Sequence, residues 1–114
     1  MCIRDSAKYW TERYPLEAVQ PMLKLLDEVE STDKSKVRAP QLIIYSPKDK
    51  VIDVDEILKV EQKFINSQTT LLAFDHSTDP YQHVLSGIAC SPESTGDMTN
   101  AILKYVQKLA NANN

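Results

Sequence analysis

The chain has 114 residues, 42% of them hydrophobic, enough for one small domain with a buried core and no more. Its 13 basic residues are scattered among 16 acidic ones, for a formal charge of -3, so it offers no basic surface to nucleic acid or an anionic membrane. The longest purely apolar runs, such as residues 42–45, are a few residues long, against the roughly 20 that a membrane-crossing helix needs.

Of the two cysteines only Cys90 lies in the body of the chain. That excludes a disulfide framework and any CxxC or zinc arrangement, and Cys90 reads as a small buried hydrophobe. The opening Met-Cys-Ile-Arg-Asp-Ser reads as a translated sequencing adaptor rather than as protein. Residues 1–6 are therefore set aside from fold reasoning, with natural sequence expected to continue upstream of Ala7.

Leu16, Val19, Met22, Leu23, Leu26 and Val29 recur at helical spacing and predict an amphipathic helix over about 16–30, kinked or divided at Pro21. A polar loop over 31–36 leads to Pro40, which marks entry into extended chain. A strand is then expected over about 41–46. Its unbroken Leu-Ile-Ile-Tyr run is what a parallel strand covered on both faces requires. Asp53, with Glu56 three residues on, matches a capping box, and Val54, Ile57, Leu58, Phe64 and Ile65 carry a helix over about 54–66. The partly β-branched run that follows predicts a second strand over 69–75. Ser91-Pro92 offers a cap and a first-turn proline for a last helix, whose stripe of Met98, Ile102, Tyr105, Val106 and Leu109 places it over about 95–110. Residues 111–114 read as a frayed tail. The strand–helix–strand unit predicts a parallel pair, both strands opening on the same edge of the sheet, which is where ligands sit in open α/β sheets.

Two segments follow those strands: Ala39-Pro-Gln-Leu-Ile-Ile-Tyr-Ser-Pro-Lys-Asp-Lys-Val-Ile and Asp79-Pro-Tyr-Gln-His-Val-Leu-Ser-Gly. In this order the chain resembles the C-terminal third to half of an α/β-hydrolase, from about Tyr9 to Leu109, with a flavour nearest to lipases, esterases and monoacylglycerol-lipase-like serine hydrolases. The resemblance implies that Asp49 is the acid of a Ser-Asp-His triad and His83 its general base. It also implies a small-molecule ester or acyl substrate, no cofactor and no metal. Where that family usually has glycine before the acid turn and before the histidine, this chain has Ser46 and Gln82.

The pairing has a physical reason. A histidine takes a proton from a serine hydroxyl only when its tautomer and orientation are fixed and its imidazolium is stabilised, and a carboxylate at Nδ1 does both. Alternatives stand beside each assignment. Asp49 also reads as a turn aspartate that bonds its own backbone. Asp53 competes for the acid role, although its cap position accounts for it without chemistry. His76 competes with His83, and Asp75, His76, Asp79 and His83 together are a conceivable metal set, irregularly spaced on a loop. Tyr9, Trp10, Tyr14 and Tyr81 could contact an acyl group, while aromatic residues beside a helix are more often core.

The nucleophile is what the sequence lacks. A G-x-S-x-G elbow would be expected, yet the only glycines are Gly87 and Gly96, and Ser86 lies after the histidine. The oxyanion-hole donors belong beside that elbow and an earlier loop, so the missing N-terminal part of the same fold is an expected partner, and these 114 residues alone are expected to be inactive. The competing reading is a small, non-catalytic α/β binding or interaction domain.

Overall fold

The computed structural model describes residues 13–112, and the adaptor-like residues, Tyr9 and Trp10 lie outside them. In chain order it contains a 3-10 turn at Leu16–Val19, helix α1 at Gln20–Ser31, a 3-10 turn at Lys34–Lys36, strand β1 at Gln41–Tyr45, helix α2 at Val54–Glu61, strand β2 at Thr69–Ala73 and helix α3 at Thr95–Ala112. This is a mixed α/β arrangement around a small parallel sheet. β1 and β2 pair from Gln41 opposite Thr69 to Tyr45 opposite Ala73. Gln41 N–H donates to Gln68 O before the pair and Phe74 N–H to Tyr45 O after it.

Several boundaries differ from expectation. The expected helix is divided beside Pro21, as the proline suggested: Leu16–Val19 is a 3-10 turn and α1 starts at Gln20, with Pro21 in its first turn, where its missing N–H costs nothing. α2 stops at Glu61 rather than 66, because Lys63 and Phe64 donate to carbonyls three residues back and tighten the chain into turns. Asp53 does cap α2, accepting from Asp55 N–H at 2.9 Å. Glu56 does not complete the capping box; it pairs with Lys59 instead. The last helix begins at Thr95, so Ser91 and Pro92 lie before it, and it runs through Asn111 and Ala112, two of the residues expected to fray.

The core is thin. Phe74, Cys90 and Met98 are its buried hydrophobic residues. Cys90 is buried as expected, but the expectation that no disulfide forms is corrected: Cys90 is disulfide-bonded. α3 lies along the sheet face carrying Leu42, Thr70 and Leu72, with Ala101 and Tyr105 opposite and a groove of about 460 Å³ between. Neither sheet face is sealed as the unbroken apolar run required, since every residue of β1 is only half-buried and Leu71 is exposed. α1 buries none of its residues. Among the described residues no helix is long and apolar enough to cross a membrane.

Candidate active site

Because β1 and β2 are parallel, the chain leaves both strands on the same edge, and the two loops that follow are knitted together there. Lys50 N–H donates to Tyr81 O at 2.9 Å, and Lys50 Nζ donates to Pro80 O at 3.1 Å. This places Asp49 and His83, 34 positions apart, in direct contact, His83 Nδ1 lying 3.0 Å from Asp49 Oδ2.

The acid loop starts at Ser46, which is 1% exposed. Its hydroxyl and carbonyl both serve the turn: Ser46 Oγ accepts from Lys48 N–H at 3.2 Å, while Ser46 O accepts from Asp49 N–H. The two carboxylate oxygens of Asp49 have separate partners. Oδ1 accepts from Val51 N–H at 2.8 Å and Ile52 N–H at 2.9 Å, as a turn aspartate does. Oδ2 is left for the imidazole. Burial pushes the Asp49 carboxyl up, but the hydrogen bonds from Ile52, His83 and Val51 outweigh it and hold the group below its ordinary value. An ionised Asp49 has no proton to give, so in this contact it is the acceptor and His83 Nδ1–H the donor, which in a neutral imidazole makes Nε2 the acceptor nitrogen. The Asp49 side chain is 7% exposed and that of His83 is 32% exposed, so the acid is shielded while the base stays within reach of a reactant.

The histidine loop is built around a residue that the sequence reading weighed only as a metal ligand. Asp79 is 0% exposed. Its carboxylate accepts from the N–H groups of Tyr81, His83 and Val84, which outweigh burial and hold it below its ordinary value. Gln82 has φ +52, left-handed backbone that favours glycine, and its Nε2 donates to Ser77 O at 2.6 Å and Asp79 O at 3.2 Å. A second support joins this loop to the start of α3. The Ser91 hydroxyl, buried at 0% exposure, meets Ser77 Oγ, Thr78 N–H, Thr78 Oγ1 and Ser94 Oγ. Ser77-Thr78 and the hydroxyls of Ser91, Ser94 and Thr95 were the available signal, but the sequence does not show that these hydroxyls meet.

The remaining candidates separate. Asp53 is occupied as the cap of α2. His76 lies away from the pair, 67% exposed, with Nε2 3.7 Å from Asp75 Oδ1 and its ring edge-on to Phe74. The conceivable metal set is dispersed, and no group of three His, Cys, Asp or Glu side chains comes together among the described residues. Tyr14 is 64% exposed, and Tyr81 serves the site through its backbone carbonyl.

Comparison with known protein families, with curated proteins and with solved structures finds nothing that matches this chain.

Proposed function

We propose that these residues supply the acid and the general base of a serine ester hydrolase whose nucleophile lies in sequence preceding Ala7. The observation that carries the proposal is the 3.0 Å contact between His83 Nδ1 and a shielded Asp49 carboxylate. In the proposed reaction, His83 Nε2 takes the proton of a serine hydroxyl as the serine oxygen attacks the ester carbonyl, and Asp49 stabilises the imidazolium so formed. Nε2 then protonates the departing alkoxide, leaving an acyl-enzyme. Water, giving its proton to the same Nε2, attacks that acyl carbon, and the serine is regenerated with release of the carboxylic acid.

Without the serine the pair has no substrate proton to move, and loss of the serine alone costs about 10⁶ in rate in subtilisin. The 114-residue chain therefore gives no ester hydrolysis above background. A non-catalytic binding domain would need to bury its own apolar surface, whereas α1 buries none of its residues, which favours the hydrolase reading. The coding sequence upstream of Ala7 tests it. A G-x-S-x-G following a predicted strand is expected, and an intact start codon with no such motif overturns the proposal.

A further inference from the structure

The four consecutive amides of the histidine loop all end on one residue. Tyr81 N–H donates to Asp79 Oδ1 at 3.4 Å, His83 N–H and Val84 N–H each donate to Asp79 Oδ2 at 3.0 Å, and Gln82 N–H donates to Asp79 O at 2.9 Å. Asp79 is itself fixed, because its N–H donates to Ser77 Oγ at 3.1 Å while that hydroxyl donates to Val84 O at 2.7 Å. The segment from 77 to 84 is thus closed on itself, with a fully buried carboxylate at its centre. Closing it requires Gln82 to adopt φ +52, a conformation that a non-glycine residue holds only when its surroundings impose it. It also leaves Gln82 Oε1 buried with no hydrogen bond among the described residues, a further cost. Strain gathered on the residue just before His83 points to a loop selected for where it puts the imidazole.

We propose that Asp79 is a positioning residue for His83: its carboxylate clamps the backbone on either side of the histidine and so presents Nδ1 to Asp49. A carboxylate suits this task because it is acceptor-only and its bonds to N–H groups are charge-assisted. An amide in its place turns an NH₂ toward donors that need an acceptor. The inference rests on the reading of His83 as the base, but its test needs no hydrolysis.

The test is proton–nitrogen NMR of the imidazole in the intact natural protein, comparing the unaltered chain with Asp79→Asn and with Met98→Ala, a core variant on α3 that leaves every hydrogen bond of the Asp79 carboxylate in place. The unaltered protein is expected to show the Nδ1–H tautomer at His83. Asp79→Asn is expected to lower the share of that tautomer and to speed hydrogen exchange of the His83 and Val84 amides by about tenfold or more, with the β1–β2 amide pattern unchanged. Met98→Ala is expected to leave both readouts in place. An Asp79→Asn protein with unaltered tautomer and exchange overturns the inference, as does Met98→Ala shifting them equally. Should Asp79→Asn not fold, the unaltered protein decides: protected His83 and Val84 amides support the clamp, and exchange at open-loop rates overturns it. Absence of ester hydrolysis in the natural protein would instead overturn the functional reading and leave this test standing.

Discussion

Asp49 divides its two oxygens between a turn and a histidine, and that division sets what substitutions do. Asp49→Asn keeps the shape but can donate to Nδ1, favouring the wrong tautomer. In the natural protein extended upstream it is expected to lower kcat by about 10⁴, with KM little changed, in steady-state hydrolysis of a short-chain ester. The sign of the pH dependence follows from the same contacts. Asp49 and Asp79 both sit below their ordinary value when folded. The stability they contribute is therefore complete above about 3.9, the unfolded aspartate value, and is lost as pH falls through the depressed folded values. Urea midpoints measured from neutral to strongly acid pH should fall most steeply below about pH 4, and Asp49→Asn or Asp79→Asn should flatten that limb. At this scale the sequence was legible where spacing decided the matter. Asp49 and His83 follow parallel strands and meet, whereas His76 lies beside Asp75. Asp79 was not legible, because the backbone amides it accepts from leave no trace in residue type.

The elements were legible in kind and less so in extent. β1, α2, β2 and α3 fall where apolar pattern and caps put them, since Leu42, Ile43 and Ile44 or the stripe through Met98 and Tyr105 leave little choice of period. Their ends follow hydrogen bonds that the pattern does not encode. α2 yields to i→i+3 turns after Glu61, and α3 starts only once the Ser91 hydroxyl cluster has been satisfied. Removing the Asp53 cap by Asp53→Ala is expected to cost about 1 kcal/mol, read from chemical denaturation. Phe74 is 4% exposed at the exit of β2, and Phe74→Ala is expected to cost about 3–5 kcal/mol. In a core this thin that loss should abolish the cooperative transition in thermal melting followed by circular dichroism.

For the whole molecule the dominant fact is apolar surface without cover. Leu16, Met22, Leu23, Leu25, Leu26 and Val29 are between 51% and 81% exposed. The unbroken strand run predicted cover on both faces, and among the described residues that cover is not found: β1 is only half-buried and Leu71 is exposed. That mismatch is itself informative, because surface of this kind drives association. The 114-residue chain alone is expected to self-associate with rising concentration in analytical ultracentrifugation, and Leu23→Lys with Leu26→Lys to weaken that association. A monodisperse monomer would favour the self-contained binding domain. The most direct test of the acid–base assignment is ester hydrolysis by the natural protein extended upstream, measured with and without His83→Ala. We expect the unaltered protein to hydrolyse a short-chain ester and His83→Ala to lose about 10⁴-fold or more of that rate while remaining folded; hydrolysis that survives His83→Ala would contradict the account.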